Sequence, residues 1–125
     1  MNIFVFGNSD VPEDALPLKI LPRLKQQFSA MRFVVVDPNE EWDVPEDIVV
    51  IDTVMGIEKV TVLNGLEKFV AAPRVTMHDF DALAQLRYLQ KLGKIKKVTI
   101  IGVPPAISEN EAFAGVVAML SANRS

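Results

Sequence analysis

Four short apolar runs limit what this chain can fold into. They are Ile3-Phe4-Val5-Phe6, Phe33-Val34-Val35-Val36, Ile48-Val49-Val50-Ile51 and Lys97 to Ile101. Each has strand length and is rich in β-branched or aromatic residues. The first three do not alternate with polar residues, as expected of strands covered on both faces. The segments between them carry helical spacing. Leu16, Ile20, Leu24 and Phe28 repeat along one face, with Leu21 beside them, and Pro22 must either kink that helix or face outward. Asp79 is a natural N-cap for a second helix, with Phe80, Leu83, Ala84, Leu86 and Leu89 inward and Gly93 as its stop. Ser108 and Glu111 form a capping box for a last helix, whose expected inner face is Phe113, Val116, Val117 and Leu120. Strands alternating with helices give an α/β fold with a mostly parallel sheet.

Two segments depart from that rhythm. Lys59 to Leu63 reads as a fourth strand, shorter and more polar, at a sheet edge, with a turn at Asn64-Gly65. From Glu40 to Asp47 there is no helical period, and Pro38 and Pro45 interrupt the connection. A parallel crossover is usually helical. Here it reads as a bare loop, with Trp42 as the lid over one sheet face.

The bulk numbers exclude several function classes. With 125 residues and 50% hydrophobic composition, residues 1–125 make one domain with a real core. A net charge of −3 leaves no basic footprint for nucleic acid. Lys94, Lys96 and Lys97 flank a strand start and read as a solvated edge. There is no cysteine, so a disulfide frame, a thiolate metal site and a cysteine nucleophile are all ruled out. No apolar stretch approaches the roughly 20 residues of a membrane span. The sequence enters a strand at once, with no signal-like run, so a cytoplasmic protein is expected.

The loop Gly7-Asn8-Ser9-Asp10-Val11-Pro12-Glu13-Asp14 joins the first strand to the first helix. Open α/β sheets bind ligands at the carboxyl ends of their strands, where such a loop lies. Three acids crowd into it. Their plainer role is capping: Asp10 with Glu13 as a box, or Asp14 as N-cap with Pro17 in the first turn. Two more acceptors occupy comparable places. Asp52 closes the third strand, and His78, the only histidine, precedes the Asp79 cap by one residue. Parallel strands put Asp14 and Asp52 on one rim, and His78 joins them if its loop returns there. Two carboxylates and an imidazole suit a divalent transition metal with positions open for a substrate-borne ligand. Each also has a plainer role: Asp52 as a turn residue, His78 as a structural hydrogen-bonder, Asp79 as a cap or an orienter of the ring. A Gly-x-Ser-x-Gly elbow is missing, and the first loop has too few glycines to cradle phosphate. Its acids would repel an anion at the helix start.

Taken in chain order, these segments resemble the nickel–iron hydrogenase maturation endopeptidases. The carriers are Phe4-Val5-Phe6-Gly7-Asn8 with Glu13-Asp14, Val50-Ile51-Asp52-Thr53 with Gly56, Thr76-Met77-His78-Asp79 before an apolar helix, and Ile100-Ile101-Gly102-Val103-Pro104-Pro105. The resemblance spans nearly the whole chain. It implies a three-layer α/β/α, phosphorylase/hydrolase-like fold. Its five-stranded sheet would run in the order 2-1-3-5-4, with strand four antiparallel. It implies Asp14, Asp52 and His78 as metal ligands, with nickel carried in by the substrate. The implied activity is removal of the C-terminal extension from the precursor of the hydrogenase large subunit. Glu13 and Asp10 are candidate proton acceptors, and the residues are compatible with an aspartic-type or a metallo-type endopeptidase. The chain departs from the family at Pro17, where a glycine is usual, and at Ile57-Glu58-Lys59, where Pro-Gly is usual. It also lacks the helix between strands two and three. A monomer or weak homodimer is expected. The alternative function is a non-catalytic metal- or partner-binding homologue on the same fold.

Overall fold

The computed structural model describes residues 2–7, 10, 12, 15–36, 46–65 and 86–122. Five strands, β1 (Asn2–Val5), β2 (Arg32–Val35), β3 (Asp47–Thr53), β4 (Thr61–Asn64) and β5 (Lys97–Val103), form one sheet in the order β2-β1-β3-β5-β4. β4 runs antiparallel to β5, and every other pair is parallel. The helices are α1 (Leu16–Gln27), α2 (residues 86–91) and α3 (Glu109–Ala122). Topology and the direction of β4 match the expectation from sequence.

The uninterrupted apolar runs follow from helices on both faces of the sheet. Ile3, Val5, Ile51, Ile101 and Val103 point to one side, where α1 and α3 cover them with Leu16, Ile20, Leu24, Val116 and Leu120. Phe4, Phe6, Ile48, Val50, Val98 and Ile100 point to the other side, with Leu86, Ile95 and partly buried Leu89. Period-2 alternation along each strand therefore separates two cores rather than core from water. Each fully buried large apolar side chain contributes on the order of 1.5–3 kcal/mol.

The helix ends show how the sequence sets their lengths. α1 buries its predicted stripe, with Ile20 and Leu24 wholly enclosed. Pro22 lies inside the helix and faces solvent. α2 stops at Gly93, whose φ of +76° is accessible to glycine. The Gly93 N–H donates to the Gln90 carbonyl at 3.1 Å and the Lys94 N–H to the Leu89 carbonyl at 3.0 Å. This pair of bonds is a Schellman stop. At the start of α3 the Ser108 hydroxyl accepts the Glu111 N–H at 3.1 Å, and the Glu111 carboxylate accepts the Ser108 backbone N–H at 3.5 Å, the reciprocal bonds of a capping box.

Four local expectations are corrected. β3 continues through Thr53, one residue beyond Asp52, which was expected to close the strand. β4 begins at Thr61, because Val60 is drawn under α3: a Cβ on Gly115 would sit 2.6 Å from Val60 Cγ2. Gly102 belongs to β5, not to the turn after it. α3 buries Ala112, Val116 and Leu120, while Phe113 and Val117 are only partly covered. Phe113 lies beneath the Arg23 guanidinium, 4.1 Å from its ring centroid, tying α3 to α1. The Trp42 lid, the connection from 37 to 45 and the Asp79 cap lie outside the described residues. Among the described residues, no helix is long and apolar enough to cross a membrane.

Candidate functional site

From β1 the sheet grows in both directions, toward β2 on one side and β3 on the other. The carboxyl ends of β1 and β3 therefore flank a topological switch point, the place where open α/β sheets form their ligand crevice. Val5 stands beside Ile51, and the Phe6 N–H donates to the Ile51 carbonyl at 2.9 Å. The chain thus leaves β1 level with Asp52 and enters the acidic loop there.

Of the three expected metal ligands, Asp52 alone lies among the described residues. It shares its side of β3 with Ile48 and Val50, so it projects toward the α2 face. It is 0% exposed. Oδ1 accepts the Thr53 backbone N–H at 2.8 Å. Taking a carboxylate out of water is costly unless hydrogen bonds or a cation compensate it. Asp52 is thus a wholly buried carboxylate near the end of a central strand, a position that requires such compensation.

The neighbour of Asp52 on β5 is Gly102. A Cβ at Gly102 would stand 2.8 Å from Val54 Cγ2 and 3.3 Å from Ile57 Cδ1. The segment after β3 therefore folds down beside Asp52, turning at Gly56 with φ +82°. The sequence reading missed this contact. Its signal was a glycine inside an otherwise apolar strand, which marks a close approach.

The start of α1 changes the standing of the acidic loop. Its N-cap is Ala15, with no side-chain cap bond, and the Ala15 carbonyl accepts the N–H groups of Leu18 and Lys19 at 3.0 and 3.1 Å. The expected N-cap role of Asp14 is therefore corrected: the cap position belongs to a residue that cannot cap by its side chain. Asp10 is exposed. Glu13, Asp14 and His78 lie outside the described residues, so of the expected trio only Asp52 is placed. Among the described residues, no three histidine or acidic side chains gather closely enough to hold a metal ion.

No family model matches the chain, and no curated protein matches it. Solved structures do. The hydrogenase maturating endopeptidase HybD from E. coli superposes with a TM-score of 0.64 at 16% identity, over 99% of this chain and 94% of that one. An endopeptidase from Escherichia coli gives 0.59 at 16% identity, over 98% and 86%. An uncharacterized protein from Wolinella succinogenes gives 0.60 at 15% identity, over 97% and 92%. At such identities, over nearly the full length of each chain, what these proteins share with this one is the fold.

Proposed function

We propose that the chain is an endopeptidase that trims a protein precursor, with its site at the β1–β3 switch point. In its specific form, it removes the C-terminal extension of a nickel–iron hydrogenase large-subunit precursor. The observation that carries this reading is Asp52: a fully enclosed carboxylate at the crevice of a fold shared along its length with a hydrogenase maturating endopeptidase. Asp14 and His78 complete a three-residue set, which supplies oxygen and nitrogen donors suited to a borderline divalent cation. The nickel arrives with the precursor and so belongs to the substrate.

The chain's own residues bind and orient. Asp52 is oriented by its bond from the Thr53 N–H. Asp14 belongs by sequence to the loop that follows β1, and its part as a second ligand rests on the family resemblance. A bound divalent ion polarises a carbonyl or acidifies a water. The chain has no cysteine and no serine elbow, so the cut is assigned to water rather than to a protein nucleophile. Glu13 is the candidate proton acceptor.

The test is processing. The protein is incubated with a nickel-loaded hydrogenase large-subunit precursor, and loss of the C-terminal tail is followed by mass spectrometry. Cleavage that requires nickel and disappears in Asp14→Ala and His78→Ala supports the reading. An intact precursor despite nickel binding assigns the chain to the non-catalytic alternative.

A further inference from the structure

The outward side of α2 has a composition unlike the rest of this acidic protein. From 82 to 108 the sequence has no acid and five bases: Arg87, Lys91, Lys94, Lys96 and Lys97. Leu86 and Leu89 turn α2 toward the sheet. Helical spacing then places Arg87, Tyr88 and Lys91 on the opposite side, with Leu92 at their flank. Tyr88 is 62% exposed and Leu92 52%, two of the three large hydrophobics exposed among the described residues. Lys96 pairs with Glu46 at 3.5 Å, the one ion pair found among the described residues. Arg87, Lys91 and Lys94 face no acid there. Lys91 and Lys94 gain a little from the helix C-terminus. That effect explains neither Arg87 nor two bare apolar side chains between the cations.

We propose that this side of α2 is a docking surface for an acidic, apolar-studded segment of the protein client. The proposal rests on the endopeptidase reading for the client's identity, not for the surface itself. Charge complementarity selects an acidic partner, and Tyr88 and Leu92 select one that also carries apolar side chains. The net charge of −3 disfavours an extended polyanion such as nucleic acid. The surface lies at the amino end of β5, whereas Asp52 lies beside Gly102 near its carboxyl end. Five strand steps, about 17 Å, separate Asp52 from the level of Lys97, beside which α2 ends. The surface therefore acts as an exosite, holding the client while another part of it reaches the crevice.

Fluorescence anisotropy with defined probes tests this without any cleavage. The probes are a labelled helical peptide of glutamates flanking a leucine stripe, the same peptide with glutamine at each glutamate, and single-stranded DNA of equal length. At low salt the acidic peptide binds the intact protein. Binding falls about tenfold in Arg87→Glu/Lys91→Glu/Lys94→Glu and about fivefold in Tyr88→Ser/Leu92→Ser. It is unchanged in Lys19→Glu/Lys25→Glu on α1. Circular dichroism melts confirm that the surface variants fold. The proposal is overturned if the glutamine peptide binds as well as the acidic one, if either α2 variant binds like the wild type, or if DNA binds more tightly than the peptide. Peptide binding without precursor cleavage would sink the proposed function and spare the surface. Cleavage without α2-dependent binding would do the reverse.

Discussion

Asp47 and Asp52 stand at opposite ends of one strand, and the sheet treats them differently. Asp47 opens β3 in solvent, opposite Lys97 of β5. Asp52 is enclosed, opposite a glycine, with one oxygen bound to the next backbone N–H. At the amino end, charged residues do what surface residues do: Glu46 and Lys96 pair in the open, an interaction worth at most about 1 kcal/mol. At the carboxyl end a carboxylate is taken wholly out of water and held by hydrogen bonding within the fold. The difference teaches that residue type alone does not mark a site. The position along the strand and the cost of burial mark it together.

The comparison can be broken most strongly at Asp52. Asp52→Asn keeps the shape and the acceptor for the Thr53 N–H while removing the charge. Precursor cleavage should fall more than about 100-fold, and thermal stability should change by less than about 1 kcal/mol. Unchanged cleavage would make Asp52 a structural residue. The next largest effect is expected beside it. Gly102→Ala forces a methyl against Val54 and should cost about 1–3 kcal/mol in a denaturation series, with part recovered by adding Val54→Ala. Ser108→Ala removes an exposed cap just beyond the carboxyl end of β5. It should lower stability by about 1 kcal/mol and leave cleavage alone. Smallest of all, Asp47→Asn should move stability by less than about 0.5 kcal/mol and activity not at all.

Much of the architecture was legible because burial on both faces leaves an unbroken apolar run that few other structures produce. Phe4 and Val50 belong to one core and Ile3 and Ile51 to the other, yet both kinds read as strand. Boundaries were less legible where size mattered more than polarity. Ala112 is buried in α3 in place of the larger Phe113, because the inner side of that helix has small residues where the chains approach closely. The cap of α1 was not legible because acids preceding a helix look like caps whatever their function, and Ala15 gives no signal. Asp52 was legible as a candidate at the close of the third strand, but its burial was not. Its place in the same alternating row as Ile48 and Val50 is the cue that it points into the core.

The most direct test is the nickel anomalous signal in crystals soaked with the metal. The account predicts one strong peak at the β1–β3 crevice, about 2 Å from carboxylate oxygens of Asp14 and Asp52 and from a nitrogen of His78. A peak held without Asp52, or a His78 ring turned away from both aspartates with no peak between them, would contradict it.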